Sequence, residues 1–233
     1  MPIAPELLKW YDKHARVLPW RLHPTKSSNT IKPNLYYIWL SEIMLQQTNV
    51  TTVKPYFELF ISKWPTITDL ASAQDEEIMA TWAGLGYYRR ARNLALCARI
   101  IVDEYEGIFP NEEAHLLRLP GIGVYTAAAI RSIGFDKKAT VIDGNVARIV
   151  SRLFAINKPI ALSKKEIMFY ATGLLPSKRF GDYAQALMDL GSLLCTPKNP
   201  RCSPCPIKKV CTSYERGISN QIPYFLPKKS KLI

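Results

Sequence analysis

Near its middle the chain reads Leu119-Pro120-Gly121-Ile122-Gly123-Val124-Tyr125-Thr126-Ala127, a proline and two glycines between two segments of helical periodicity. Pro120 ends the first segment, and the glycines allow the backbone to approach a ligand closely. The helix that follows begins with unpaired N–H groups and the positive end of its dipole. Gly121, Gly123 and Val124 are therefore candidate phosphate ligands, although a plain turn between two helices has the same pattern.

Helical periodicity extends over most of the chain on both sides of this hairpin, which we place at about 113–133. Alternating strand patterns are scarce, and residues 139–142 form at most a short extended piece. We therefore predict an all-α fold. The predicted helical segments are 37–47, 49–64, 75–83, 87–105, 112–119, 125–133, 146–155, 164–174, 183–194 and 207–216.

Four of the five cysteines lie near the end of the chain in the pattern C-x6-C-x2-C-x5-C. Cys195, Cys202, Cys205 and Cys211 crowd four thiolates into 17 residues, which suits one tetrahedral metal ion or one cubane iron–sulfur cluster. Zinc sites usually repeat the C-x2-C knuckle twice, and here it occurs once, so the spacing favours a cluster. Zinc and two disulfides remain alternatives, and Cys97 is expected to be a small core residue.

The charge balance indicates a polyanionic partner. The chain carries 31 Lys and Arg against 19 Asp and Glu, a formal charge of +12. Such an excess attracts polyanions, of which nucleic acid is the commonest, although charge alone is equally compatible with a basic protein without such a partner. We expect no signal peptide and no membrane span, because the N-terminus has no apolar segment and no run of about 18 apolar residues exists.

Three further motifs, taken with the hairpin and the cysteines, point to a known family. They are Trp39-Leu40-Ser41-Glu42-Ile43-Met44-Leu45-Gln46-Gln47-Thr48, Gly84-Leu85-Gly86-Tyr87-Tyr88 and Ile142-Asp143-Gly144-Asn145-Val146. With them, residues 7–213 resemble the helix-hairpin-helix superfamily of DNA glycosylases, which includes endonuclease III. Within that superfamily the chain looks like the catalytic region of the adenine DNA glycosylases of the MutY type.

The resemblance implies a function in base-excision repair. The enzyme would hydrolyse the N-glycosidic bond of adenine mispaired with 8-oxoguanine or guanine in double-stranded DNA. It would act as a monomer in the bacterial cytoplasm, associated with the nucleoid, and would hold a [4Fe-4S] cluster on the four cysteines. Two helical lobes are implied, with the substrate in the cleft between them. Residues 35–140 would form a six-helix barrel, and residues 1–34 and 141–233 a second lobe with the iron–sulfur loop at 195–211.

Two carboxylates with different roles are expected in this reaction, because the departing adenine must be protonated and the sugar passes through an oxocarbenium-like state. Glu42 matches the general acid of the family, and burial would keep such a group protonated near neutral pH. Asp143 matches the residue that stabilises the cation. From the residues alone, Glu42 could instead be a solvated helix carboxylate, and Asp143 could be the N-cap of the helix that begins at Gly144.

Tyr125 occupies the hairpin position at which bifunctional relatives of the endonuclease III type carry a lysine that attacks the sugar. Tyrosine cannot form a Schiff base, so the resemblance implies a monofunctional enzyme that leaves an abasic site. Tyr125 could support the cationic intermediate or simply pack at the start of a helix.

Adenine in a duplex must be flipped out, and wedge residues must enter the base stack. The family's wedge positions match Gln46, Gln47 and Tyr87, and its adenine pocket matches Arg16, Leu18, Trp20 and Gln185. Structural alternatives are core packing for Tyr87, an N-terminal anchor for Trp20 and a surface amide for Gln185. The basic run at 89–92 is either a phosphate-facing surface or a solvated helix face, and we favour the first.

Two features depart from the family pattern. The stretch 22–34 is longer than in many members and has the composition of a loop. The sequence ends at Ile233, so we do not expect the C-terminal domain with which many adenine glycosylases read 8-oxoguanine. Thymine-mismatch glycosylases, which also pair a tyrosine at the hairpin with an acidic residue, are the second candidate. A non-enzymatic iron–sulfur protein that binds DNA is the candidate of another class.

Overall fold

A computed structural model describes residues 2–24 and 32–224. Every regular element in these two ranges is a helix, apart from a single bridge between Pro159 and Tyr224, so the predicted all-α fold is confirmed. The α-helices in chain order are α1 (Ala4–His14), α2 (Leu35–Leu45), α3 (Val50–Lys63), α4 (Ile67–Ser72), α5 (Asp75–Trp82), α6 (Arg89–Tyr105), α7 (Glu113–Leu116), α8 (Val124–Ala129), α9 (Gly144–Leu153), α10 (Lys164–Gly173), α11 (Phe180–Leu193) and α12 (Thr212–Glu215).

The chain divides into two compact units. Unit 1 comprises Met1–Ala15 and Lys138–Ile233, and unit 2 comprises Arg16–Lys137. Unit 2 thus begins earlier in the chain than the predicted barrel at 35–140. The reason is that Leu18 and Trp20 belong to the hydrophobic core of unit 2, where the Trp20 ring packs edge-on against Phe57 with ring centroids 5.2 Å apart.

Some predicted features lie outside the described residues. They are residues 25–31, which make up about half of the predicted loop at 22–34, and the basic C-terminal stretch 227–233. Within the described ranges, no helix combines the length and the apolar character that a membrane span requires.

Helix α2 is the most deeply buried helix of unit 2. It begins at Asn34, whose side chain accepts a hydrogen bond from the Tyr37 N–H at 3.2 Å. Eight of its 11 residues are buried, and α3, α6 and α8 all pack against it. A helix that is apolar on every face has to lie inside a core. The residues that α2 carries, and the loop that follows it, therefore rest on a rigid support.

In unit 1, α9 and α11 pack against each other, and α1 packs against α11. Apolar residues of all three helices form one core. Arg179, which precedes α11 in the left-handed region with a φ of 61°, forms ion pairs with Asp12 of α1 and with Asp182. These pairs tie the N-terminal helix of the chain to the C-terminal half of unit 1.

Candidate functional site

Glu42 lies in the second half of α2, in the core of unit 2. Its side chain is only 7% exposed, and Trp39, Leu40 and Ile43 beside it in the helix are at most 1% exposed. The alternative of a solvated helix carboxylate is therefore wrong. Glu42 is therefore an acid inside the core of unit 2 and not a surface charge.

The chain leaves α2 through Gln46, one helical turn after Glu42. The Gln46 side chain donates from Nε2 to the Gly121 carbonyl at 3.3 Å, so the end of α2 is tied to the glycine hairpin. Gln47 follows with an exposed side chain and a φ of 58°, in the left-handed region that non-glycine residues rarely adopt. A predicted wedge residue thus projects from a strained turn next to the helix that carries Glu42.

A second strained loop carries Tyr87. Gly84 has a φ of 97°, and a Cβ there would lie 2.4 Å from the Tyr56 hydroxyl oxygen, so only glycine fits without a shift. Gly86 has a φ of 73° and Tyr87 one of 48°. The Tyr87 side chain is 59% exposed, so the alternative of core packing is wrong for it.

The basic run at 89–92 divides by burial. Arg89 and Arg92 are exposed, whereas Arg90 is only 8% exposed. The prediction of a phosphate-facing surface is wrong for Arg90, because its guanidinium donates to main-chain carbonyls inside unit 2, among them those of Met44 and Gln46 at 2.6 Å each. Burial lowers the pKa of this guanidinium from its ordinary value.

The glycine hairpin lies between α7 and α8, within the predicted range. Gly121 has a φ of 80°, and a Cβ there would lie 3.1 Å from Asn93 Cβ of α6. Gly123 has extended backbone and precedes α8, and nothing lies within 4 Å of a Cβ placed on it. Gly123 and Val124 are exposed, and Tyr125 is half-buried in the first turn of α8. The hairpin therefore presents an open backbone surface at the start of a helix.

In unit 1, Asp143 is the N-cap of α9, as the sequence allowed. Its Oδ1 accepts from the Val146 N–H at 2.7 Å, and its Oδ2 accepts from Asn145 Nδ2 at 2.8 Å. The two donors fix the plane of the carboxylate. Capping and a catalytic role remain compatible, because the two bonds leave acceptor capacity on both oxygens.

Arg148 extends this arrangement to the cysteine loop. Its Nη2 donates to Asn145 Oδ1 at 2.7 Å and to the Gly191 carbonyl at 2.8 Å, and its Nε donates to the Cys195 carbonyl at 2.7 Å. A Cβ on Gly191 would lie 2.5 Å from Asn145 Cβ, so only glycine fits at this position of α11 without a shift. Asp143 is thus connected to the first cysteine through two side chains that the sequence did not identify.

Arg152, one turn further along α9, supports the same loop from the interior and is 2% exposed. Its Nη1 donates to Cys195 Sγ at 3.2 Å and to the Thr196 carbonyl at 2.7 Å. Its other nitrogens donate to the Pro197 carbonyl at 3.1 Å and the Ile222 carbonyl at 2.7 Å. Arg152 therefore fixes the first cysteine and the two residues after it from inside unit 1.

The four predicted cysteine ligands line one cavity in unit 1, together with apolar residues of α9 and α11. All five cysteines lie within the described residues and are free thiols, so no disulfide joins them, and Cys97 is buried as predicted. Burial raises the pKa of the Cys205 thiol to about 12 and also raises that of Cys211. Thiolates in this cavity would therefore need a positively charged partner.

Four cysteines are the donor set of both metal groups that the sequence left open, an iron–sulfur cluster and a tetrahedral zinc ion. Among the described residues, no three His, Cys, Asp or Glu side chains are grouped so that they could hold one metal ion. The four thiols that line this cavity supply the donor type and number that either metal group requires.

The predicted adenine-pocket residues are divided between the two units. Leu18 and Trp20 are buried in the core of unit 2, and Arg16 is half-buried in the same unit. Gln185 in α11 is 5% exposed and donates from Nε2 to the Gly181 carbonyl at 3.2 Å, so the alternative of a surface amide is wrong for it. The assignment of these four residues to an adenine pocket stays a prediction.

The sequence was compared with models of known families. Residues 40–176, more than half of the chain, match the model described as HhH-GPD superfamily base excision DNA repair protein. The chain belongs to this superfamily. The match begins in α2 and includes Glu42, both strained loops, the hairpin and Asp143.

Curated relatives of this HhH-GPD protein carry the name adenine DNA glycosylase. The relative from Mus musculus is 44% identical over 219 residues, which are 93% of this chain and 42% of the relative. The relative from Buchnera aphidicola subsp. Baizongia pistaciae is 40% identical over 226 residues, which are 97% of this chain and 61% of the relative. The chain thus spans about two fifths of the mouse protein and three fifths of the bacterial one.

Two solved structures have a similar fold. A thermostable thymine-DNA glycosylase superposes with a TM-score of 0.77 at 29% identity, over 91% of this chain and 94% of that one. A non-covalent endonuclease III–DNA complex superposes with a TM-score of 0.70 at 20% identity, over 92% and 94% of the two chains. At that identity the second likeness concerns the fold alone.

Proposed function

We propose that this chain is the catalytic region of a monofunctional adenine DNA glycosylase, which acts as a monomer on adenine mispaired with 8-oxoguanine or guanine in double-stranded DNA. The observation that carries the proposal is the position of Glu42, an acid buried in the core helix of unit 2 one turn before a strained loop with an exposed glutamine. The 44% and 40% identities to adenine DNA glycosylases across nearly the whole chain support the choice of base.

Glu42 is the proton donor in this proposal. Adenine is a poor leaving group as an anion, and protonation of the base lowers the barrier to breaking the glycosidic bond. The buried α2 helix holds this acid in a fixed position inside unit 2.

Asp143 is the carboxylate that stabilises the oxocarbenium-like sugar. Its two oxygens accept N–H donors from Val146 and Asn145, which orient it as a hydrogen-bond acceptor and not as a proton donor. A fixed negative charge stabilises a developing cation without reorganisation at the moment of reaction. The division of labour between a buried acid and a capped carboxylate follows the logic of glycoside hydrolysis.

Unit 2 supplies the contacts to DNA in this proposal. Gln46, Gln47 and Tyr87 would enter the base stack when adenine is flipped out, and the exposed side chains of Gln47 and Tyr87 support this role. The open backbone at Gly121, Gly123 and Val124 would bind a phosphate through its N–H groups. The formal charge of +12 favours a polyanionic partner in general.

Tyr125 determines what happens after base release. A tyrosine cannot form a Schiff base with the sugar, so the abasic site would remain intact and the strand unbroken. The half-buried position of Tyr125 in the first turn of α8 is compatible with support of the cationic intermediate.

The four cysteines would hold a [4Fe-4S] cluster. The shared cavity of Cys195, Cys202, Cys205 and Cys211, and the guanidinium that Arg152 directs at Cys195 Sγ, support this assignment. When bound, the cluster supplies positive charge to the thiolates and fixes the shape of the loop. Base release itself is assigned to Glu42 and Asp143.

A thymine-mismatch glycosylase is the second candidate, and the likeness to a thermostable thymine-DNA glycosylase supports it. Both candidates predict base release without strand cleavage, so the assay must separate the two bases.

The experiment uses three duplexes, with A opposite 8-oxoguanine, A opposite guanine and T opposite guanine, each with and without alkali. We expect adenine release from the first two and strand breaks only after alkali. Release of thymine alone would contradict the adenine assignment. Strand cleavage without alkali would contradict the monofunctional assignment of Tyr125.

A further inference from the structure

Arg90 is a buried cation that the proposed chemistry does not use. It lies at the start of α6 between two exposed arginines, yet it is only 8% exposed. Burial of an unpaired guanidinium is costly, so its contacts must offset the loss of hydration. Both terminal nitrogens donate, and no acceptor among the described residues is a carboxylate. The acceptors are the carbonyls of Ile43, Met44, Gln46, Leu85 and Gly86 and the Thr48 hydroxyl.

These acceptors belong to two separate segments, namely the end of α2 with the loop after it and the loop before α6. Nη1 donates to the last carbonyls of α2 and to the Gln46 carbonyl at 2.6 Å, where the positive charge also faces the negative end of the helix dipole. Nη2 donates to the Leu85 and Gly86 carbonyls at 3.2 Å each. One planar group therefore joins the loop after α2 to the loop before α6.

Two of the Arg90 hydrogen bonds go to the carbonyls directly before the residues with left-handed backbone. The Gln46 carbonyl belongs to the peptide unit that precedes Gln47, with its φ of 58°, and the Gly86 carbonyl belongs to the unit that precedes Tyr87, with its φ of 48°. Left-handed non-glycine residues are strained and persist only where their surroundings fix them. Arg90 provides such a constraint at both places.

Aromatic contacts complete the arrangement. The Arg90 guanidinium carbon lies 5.4 Å from the centroid of the Tyr87 ring and 5.1 Å from that of the Trp82 ring. Trp82 Nε1 in turn donates to the Gly86 carbonyl at 3.0 Å. The exposed Tyr87 ring is therefore held through its backbone and through one face.

We propose that Arg90 is a positioning residue that holds Gln47 and Tyr87 together in the conformation in which they enter the base stack. This inference rests on the proposed function, because it assigns a purpose to the rigidity of the two wedge loops. A wedge that is rigid before binding loses less conformational entropy when the base is flipped.

The test variant is Arg90→Lys, which keeps the charge but lacks the planar fork that reaches both loops. The matched control is Arg99→Lys on the same helix. Arg99 also donates to main-chain carbonyls, at 3.3 Å for Ala71 and 3.1 Å for Ala73, and touches neither wedge loop. Thermal melting of both variants measures the loss of stability that they share.

The first readout is amide hydrogen exchange of the free protein. We expect at least tenfold faster exchange at 46–48 and 86–88 in Arg90→Lys and parental rates there in Arg99→Lys, because local opening sets the exchange rate. Unchanged exchange at both loops would overturn the inference. This measurement contains no DNA, so it decides about Arg90 even if the chain released no base.

The second readout is the fluorescence of 2-aminopurine placed beside the target adenine. Misplacement of a positioned group by about 1 Å can cost about 100-fold in rate, so we expect flipping in Arg90→Lys to slow by about 10- to 100-fold, with nearly parental binding of an undamaged duplex. Parental flipping in Arg90→Lys would overturn the inference. Failure of the parental chain to release any base would instead contradict the proposed function.

Thr48→Val is the second variant, for the case that Arg90→Lys does not fold. It removes one acceptor of Nη2, at 3.1 Å, and keeps the shape of the side chain. We expect a smaller effect in the same direction on both readouts. Exchange and flipping that both equal the parental values in a folded Thr48→Val would count against Arg90 as the constraint.

Discussion

Exchange of the two side chains at 143 and 145 would separate capping from catalysis. In the single variant Asp143→Asn, residue 143 has one acceptor oxygen instead of two. Arg148 Nη2 donates to Asn145 Oδ1 at 2.7 Å, so the Asn145 amide cannot turn over without losing that bond. If the new oxygen caps Val146, the new NH₂ group therefore faces the NH₂ group of Asn145, and the bond of 2.8 Å is lost.

The loss can be given a magnitude. A hydrogen bond to a charged group contributes about 1.5–3 kcal/mol. For a chain of this size, that corresponds to a decrease in Tm of about 3–12 °C for Asp143→Asn. The double variant Asp143→Asn/Asn145→Asp restores the pattern, because the carboxylate introduced at position 145 can accept from both Arg148 and the amide introduced at position 143. The free energy of unfolding of the double variant should therefore lie within about 1 kcal/mol of that of the parental chain.

Activity should not follow stability. Adenine release, measured in single turnover on a duplex with A opposite 8-oxoguanine, should fall by about 100-fold or more in both variants, because neither has a carboxylate at 143. A double variant that released adenine at the parental rate would refute the catalytic role. A single variant with the parental Tm would refute the claim that Arg148 fixes the Asn145 amide.

Three further predictions concern other parts of the chain. Gly84→Ala should lower the free energy of unfolding, measured in urea, by about 2–4 kcal/mol. The variant would place a Cβ on left-handed backbone and 2.4 Å from the Tyr56 hydroxyl oxygen. Tyr56→Phe in the same chain should recover part of that loss. Arg152→Gln should weaken retention of the proposed cluster, because it removes the donor 3.2 Å from Cys195 Sγ. Visible absorbance of this variant in a chelator should therefore decay faster than that of the parental chain, and equal decay would contradict the support assigned to Arg152. Tyr125→Lys should produce strand breaks without alkali and a borohydride-trapped adduct, and absence of both would show that this side chain does not reach the sugar.

The features that sequence predicted well are those whose causes are local. Gly121 has left-handed backbone, and a Cβ there would lie 3.1 Å from Asn93 Cβ. Both features require glycine, and they occur in the turn that the proline and glycines of the sequence had indicated. The cysteine spacing likewise indicated a shared site before the cavity was known. The N-cap at Asp143 follows from residue type and position alone.

The buried arginines were not predicted, because their partners are distant in the chain. Arg90 reads as part of an exposed basic run, and it is buried only because carbonyls more than 40 residues away converge on it. Arg148 and Arg152 did carry a signal: they are spaced by four within the apolar pattern of α9, so both had to lie on or beside its buried face. Their acceptors in the cysteine loop could be identified only from the fold.

Two helices were also missed. Helix α1 contains Ala4, Leu7 and Tyr11 at helical spacing, and Pro5 in its first turn obscured a pattern that is favourable at a helix start. Helix α4 is short, but the pair Thr66 and Asp69 forms a capping box that sequence inspection could have found. The division at residue 16 was not predictable, since it depends on which core receives the ring of Trp20.

The most direct test of the central claim is the release of free adenine by Glu42→Gln and by the parental chain, from a duplex with A opposite 8-oxoguanine. Glutamine keeps the shape of the side chain and cannot donate the acidic proton, so the rate should fall by about 100-fold or more while the Kd for the duplex stays within a few-fold. A parental chain that binds the duplex and releases no adenine, or a Glu42→Gln variant that releases it at the parental rate, would contradict the account.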